Sequence, residues 1–123
     1  MSVAILRQDD VLIASVQSDL SDTQVLALRD ELAEQVGRHR AHGIVVDVTA
    51  LDVIDSFVAR SLRSIAVTAR LRGADTVVVG IQPDVAIAMV QFDLNLQPLQ
   101  TALDLDEALT LLAGEKRGEE DGR

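Results

Sequence analysis

Cysteine, tryptophan and tyrosine are absent from this chain, Phe57 and Phe92 are its only phenylalanines, and lysine occurs once, at Lys116. Without thiols there are no disulfides, no thiolate metal sites and no cysteine nucleophile, a composition that suits a reducing cytosol. Without large aromatics the core must be filled by Val, Leu, Ile and Ala, which supply most of the 48% hydrophobic content. Long apolar runs are missing too: nothing approaches the roughly 20 residues that span a bilayer. Met1-Ser2-Val3-Ala4 lacks the basic start of a signal peptide, and Arg7, Asp9 and Asp10 interrupt the apolar residues near the N-terminus. A cytoplasmic location is therefore expected. Basic charge is scarce as well, with 11 Lys and Arg against 20 Asp and Glu, for a net charge of −9. Such a surface repels phosphate backbones and anionic lipid, so nucleic acid and membranes are not expected partners, whereas a basic protein is.

The motifs of several chemistries are missing in the same way. There is no G-x-x-x-x-G-K-[ST] and no G-x-G-x-x-G, so a nucleotide site has no support. Ser56 sits in Ile54-Asp55-Ser56-Phe57-Val58, not in the G-x-S-x-G elbow of a hydrolase. Asp47 follows an apolar run and could be compared with the phosphoacceptor of a receiver domain. Such a domain also needs a lysine at a later strand end, and Lys116 lies far beyond any strand signal. His39 and His42 are two imidazoles without cysteines or a matching acidic motif, and they read as solvated residues near a helix end. No catalytic residue, metal or cofactor is expected, and the chain does not read as an enzyme.

What is present is an alternation of strand and helix signals. Val3-Leu6 and Val11-Val16 are β-rich runs around the polar turn Arg7-Gln8-Asp9-Asp10. Ser21-Asp22-Thr23-Gln24 matches a capping box, and Val25, Leu28, Leu32 and Val36 follow at helical spacing to about Arg40. Gly43 releases the chain into Ile44-Val45-Val46, a run of the kind covered on both faces. A second helix is predicted from about Ser56 to Gly73, with Val58, Leu62, Ile65, Ala66 and Ala69 inward, and then a strand over Thr76-Val79. Pro83 suits a first helical position, and a third helix carries Val85, Ile87, Ala88, Met89 and Val90 to about Phe92. An edge strand near Leu99-Leu103 precedes a last helix capped by Asp104, with Ala108, Leu109 and Leu112 on its apolar side. This order predicts an α/β fold: a mixed central sheet with a parallel centre and right-handed crossovers, packed by about four helices. One domain is expected over residues 1–114, with a charged, disordered tail over 115–123.

The junction Asp52-Val53-Ile54-Asp55-Ser56-Phe57 carries the most information. A strand pattern has ended there and a helix pattern begins. Serine is a preferred N-cap, so Ser56 is expected to cap the second helix. The same hydroxyl, if phosphorylated, would bring about −1.5 to −2 charge beside Asp52 and Asp55. Gly80-Ile81-Gln82-Pro83-Asp84 falls at the same end of a parallel sheet and reads either as a plain connector or as a second element of one binding face. Arg60, one helical turn from Ser56, is solvated by default and could screen a phosphate.

These residues resemble the STAS domain of bacterial anti-sigma factor antagonists, the SpoIIAA-like fold. Leu51-Asp52-Val53-Ile54-Asp55-Ser56-Phe57 is similar to that family's phosphoacceptor loop. Val11-Leu12-Ile13-Ala14-Ser15-Val16-Gln17, Gly43-Ile44-Val45-Val46-Asp47-Val48-Thr49, Gly80-Ile81-Gln82-Pro83 and Thr101-Ala102-Leu103-Asp104-Leu105 extend the likeness over nearly everything except the tail, most closely to single-domain stressosome scaffolds of the RsbS type. The resemblance implies phosphorylation of Ser56 by an RsbT-type kinase, reversal by an RsbX-type phosphatase, and assembly with itself and with RsbR-type paralogues into a large complex. It implies that unphosphorylated scaffold holds the kinase and that phosphorylation releases it. It places partner binding on Asp52, Asp55, Ser56, Phe57, Arg60, Gln82 and Pro83, and makes Thr49, in Asp47-Val48-Thr49, a secondary acceptor. The alternative within the family is a SpoIIAA-type antagonist that binds an anti-sigma factor directly. Arg60-Ser61-Leu62-Arg63 and Phe92-Asp93 depart from the expected pattern and would tune which partner binds.

Overall fold

Three of the strands read as nearly unbroken apolar runs, and a strand of that kind must be covered on both faces. The computed structural model, which describes residues 3–16 and 21–122, builds them into the centre of a five-stranded sheet. Gln17, within one of the segments that carry the resemblance, and the terminal residues 1, 2 and 123 lie outside the described residues. The elements in chain order are β1 Val3–Gln8, β2 Val11–Val16, α1 Asp22–His39, β3 Gly43–Asp47, α2 Ser56–Leu71, β4 Asp75–Val79, α3 Pro83–Gln91, β5 Gln100–Ala102 and α4 Leu105–Gly122. The strands lie side by side in the order β1-β2-β3-β4-β5, with β1 antiparallel to β2 and the other neighbours parallel.

Period-2 alternation divides the apolar residues between two cores. Leu12, Ala14, Ile44, Val46 and Val78 point to one face, where Leu28, Leu32 and Val36 of α1, Leu62 and Ile65 of α2, and Val85 and Met89 of α3 cover them. Val11, Val45, Val77 and Val79 point to the other, against Ala108 and Leu112 of α4. Leu12, Leu32, Ile44 and Ile65 are fully buried, each worth about 1.5–3 kcal/mol relative to exposure. A Cβ on Gly43 would lie 2.7 and 2.9 Å from the two methyls of Leu112, so the missing side chain is what lets α4 approach the sheet.

Local signals account for the boundaries. The Ser21 hydroxyl accepts from the Gln24 amide at 3.2 Å and the Gln24 side chain accepts from the Ser21 amide at 2.9 Å, which completes the capping box of α1. Asp104 accepts from the Glu107 amide at 2.9 Å and starts α4 as expected. β1 runs two residues beyond the predicted Leu6, because Asp9 takes a left-handed conformation (φ 55°) and closes a tight turn in which Gln8 pairs with Val11. The inward stripe of α2 takes Ala59 in place of Val58, which is half-buried. On α3 only Val85 and Met89 are buried, whereas Ile87 and Val90 face outward, because a helix of nine residues against one sheet edge buries a single stripe. α4 runs Leu105–Gly122 and so extends past residue 114. Among the described residues, no helix is long and apolar enough to cross a membrane.

Candidate functional site

Open α/β sheets place their chemistry beyond the carboxyl ends of parallel strands. Here the loops that leave β3 and β4 meet at that edge. The Val48 amide donates to the Val79 carbonyl at 3.0 Å, carrying the β3–β4 ladder one residue past β3, and the Leu51 amide donates to the Val48 carbonyl at 2.9 Å, closing a turn. Asp47 Oδ1 accepts from both the amide (2.9 Å) and the hydroxyl (2.6 Å) of Thr49. Leu51 and Ile54 are buried, so the loop is anchored at two points and leaves Asp52 and Val53 exposed between them.

At the end of this loop the structure corrects one expectation. The N-cap of α2 is Asp55, not Ser56: its backbone is extended and its Oδ1 accepts from the Val58 amide at 2.9 Å. Aspartate and serine cap equally well, so composition could not decide between neighbours; the Ala59 amide donates to the Asp55 carbonyl at 2.9 Å, which sets the helix to begin one residue later. Ser56 is thereby the first helical residue, exposed, and its hydroxyl is not used to cap. The first turns of α1, α3 and α4 contain Asp22, Asp84, and Asp106 with Glu107, but that of α2 contains no acid. An anion on Ser56 would share the start of α2 with the capping Asp55 carboxylate and would meet no further acid within the first turn.

The remaining expected residues gather around this point. Gln82 holds the N-cap position of α3, and its side-chain Nε2 reaches across to donate to the carbonyls of Thr49 (2.8 Å) and Leu51 (3.3 Å). The glutamine-proline turn is therefore joined to the Ser56 loop and is no independent connector. Pro83 is exposed at the first position of α3. Arg60 is exposed on the next turn of α2, and Phe57 is half-buried beside a cleft of about 520 Å³ that Val25, Leu28, Leu51 and Ile65 line together with Asp22 and Asp55. Two roles not visible in the sequence complete the site: Asp55 as cap, and Gly80, whose φ of 82° and missing side chain leave room for Thr49. An aspartate two residues before a threonine is a recognisable turn signal, but which glycine would seat the threonine was not.

His39 and His42 do not converge. His39 Nδ1 accepts from the Arg7 guanidinium at 2.7 Å, while His42 Nδ1 lies 2.9 Å from an Asp10 carboxylate oxygen. Among the described residues no group of three or more His, Cys, Asp and Glu is placed to hold a metal ion.

Comparison with known proteins decides the family. The STAS domain profile matches residues 2–108. The chain belongs to the STAS-domain family. Among solved structures it is similar to a serine-to-glutamate variant of RsbS from Moorella thermoacetica, at 34% identity and a TM-score of 0.77, over 95% of this chain and 99% of that one. It is similar to a chain of the stressosome, a signal integration and transduction hub, at 34% identity and a TM-score of 0.71, over 93% and 99%. Among curated proteins it is 22% identical over 117 residues to the RsbT co-antagonist protein RsbRA of Bacillus subtilis, spanning 87% of this chain and 43% of that one. The chain thus spans less than half of that relative. The STAS chain is accordingly an antagonist-type fold close to the stressosome protein RsbS, as the resemblance implied.

Proposed function

We propose that this STAS protein is a non-catalytic scaffold that holds an RsbT-type kinase and releases it when Ser56 is phosphorylated. The observation that carries the reading is the presentation of Ser56: an exposed hydroxyl at the first position of α2, on a loop anchored by Leu51 and Ile54 and closed by the Asp55 cap. A phosphate there meets the free amides and dipole of the helix start, so the fold can keep it. The added charge instead changes the surface formed by Asp52, Asp55, Ser56, Phe57, Arg60 and Pro83, which we assign to the partner, while the Gln82 side chain is turned to the loop carbonyls of Thr49 and Leu51. A loss of about 3 kcal/mol at that surface weakens binding by roughly two orders of magnitude.

Similarity to RsbRA and to the stressosome chain supports assembly with itself and with RsbR-type paralogues in a large cytoplasmic complex, and an RsbX-type phosphatase would reset the site. Thr49 is a secondary acceptor in this reading. Its hydroxyl donates to Asp47 at 2.6 Å and must leave that bond to be modified, so Ser56 reacts first. The likeness to RsbS at 34% identity favours the scaffold over a SpoIIAA-type antagonist, since the solved SpoIIAA is 13% identical and shares the fold alone.

The test is to incubate the chain with the RsbT kinase of Bacillus subtilis and ATP and to map the phosphate by mass spectrometry. Label is expected on Ser56, Ser56→Ala should keep kinase binding, and Ser56→Asp should weaken it about 100-fold. Stoichiometric phosphorylation that leaves binding unchanged would refute the switch.

A further inference from the structure

Among the described residues four hold helix N-cap positions, and three of them use their side chains in the ordinary way. Ser21, Asp55 and Asp104 each accept a hydrogen bond from an amide in the first turn of the helix they begin. Gln82 does not: it makes no side-chain bond to α3. Pro83 restricts its backbone to an extended conformation (φ −63°, ψ 148°), and its carbonyl accepts from the Ala86 amide at 2.9 Å, so the side chain departs from a fixed base. From there its amide nitrogen spans to the carbonyls of Thr49 and Leu51 in the loop that ends at Ser56.

A second feature of the same connection is fitted to the same loop. Gly80 has φ 82°, and a Cβ there would stand 2.0 Å from the Thr49 hydroxyl oxygen. Thr49 is thus seated against Gly80, held by Asp47, and clamped from above through its carbonyl by Gln82. Ser56 comes soon after Leu51 in the chain, and buried Ile54 and the Asp55 cap carry the position of Leu51 to the start of α2.

We propose that Gln82 is a positioning residue for phosphoryl transfer to Ser56, setting the loop so that the hydroxyl is presented in one orientation to the kinase. The proposal rests on the reading of Ser56 as phosphoacceptor. In the step concerned, Ser56 Oγ attacks the γ-phosphorus of ATP. The Oγ–P bond forms as the bond to the β,γ-bridging oxygen breaks, ADP leaves, and the hydroxyl proton passes to a base of the kinase. Gln82 touches none of these atoms. It acts through the loop, and small misplacements of a reacting group cost rate in preference to binding.

The experiment compares the full chain with Gln82→Met, which keeps length but has no donor, and Gln82→Lys, which restores one, as substrates of the Bacillus subtilis RsbT kinase. For Gln82→Met, kcat for Ser56 labelling is expected to fall roughly 10- to 100-fold with KM changed by less than about 2-fold. Hydrogen exchange at the Val58 and Ala59 amides should rise, and Gln82→Lys should recover most of the rate. An unchanged kcat, or a raised KM at constant kcat, would overturn the positioning role, the latter by making Gln82 a contact of the kinase. Absence of label on the unsubstituted chain would overturn the Ser56 reading and the positioned reaction with it, so the wild-type control tells the two failures apart.

Discussion

Substituting Asp55 and Ser56 separately measures which of the two begins α2. Asp55→Ala deletes the acceptor that holds the Val58 amide at 2.9 Å. Loss of an N-cap costs about 1 kcal/mol. Because the first turn of α2 contains no other acid, loss of the carboxylate's attraction to the helix dipole adds about 0.3–1 kcal/mol. The total is about 1–2 kcal/mol. At about 2.1 cal/mol/K of unfolding entropy per residue, a chain of 123 residues loses about 4–8 °C in Tm. Ser56→Ala removes an exposed hydroxyl that caps nothing and should stay within about 0.5 kcal/mol, or roughly 2 °C. Asp55→Asn keeps an acceptor and loses only the charge, so its smaller deficit should shrink as salt screens the dipole. Thermal melts followed by far-UV circular dichroism at low and high salt give all three values. A Ser56→Ala loss of 1 kcal/mol or more, with Asp55→Ala neutral, would refute the capping assignment and with it the free presentation of Ser56.

Two further expectations concern the opposite face of the sheet. Gly43→Ala should cost about 1–3 kcal/mol by overpacking Leu112, and Leu112→Ala about 2–5 kcal/mol by leaving a cavity. Since the new methyl fills part of the space the leucine vacates, the double substitution should cost about 1 kcal/mol less than the sum in chemical denaturation, and strict additivity would contradict the close approach of α4. Truncation after Gly114 should leave stability within about 0.5 kcal/mol, because Ala108 and Leu112, the residues of α4 buried against the sheet among those whose burial is described, both precede the cut. A loss above about 1 kcal/mol would place the domain boundary beyond residue 114.

Much of the architecture was legible because the signals were local. The Ser21–Gln24 capping box, the apolar run Ile44-Val45-Val46, Pro83 at a helix start and Asp104 before the last helix all act within a few residues, and each stands where the sequence put it. The outward turn of Ile87 and Val90 was not legible, since both are apolar and only the packing of α3 decides which stripe is buried. The same holds for the α2 cap, where two good capping residues are adjacent and the contest is settled by how Leu51 and Ile54 anchor the incoming loop.

By itself, then, the sequence determined the order of elements, the aliphatic two-faced sheet, the acidic surface and the neighbourhood of Ser56, because composition, periodicity and turn chemistry depend on residues close in the chain. Tertiary structure alone decided that Asp55 caps and Ser56 is left exposed, and that Gln82 and Gly80 hold the loop through Thr49 and Leu51. Those contacts join residues more than thirty positions apart, and only the parallel pairing of β3 with β4 brings them to the same edge.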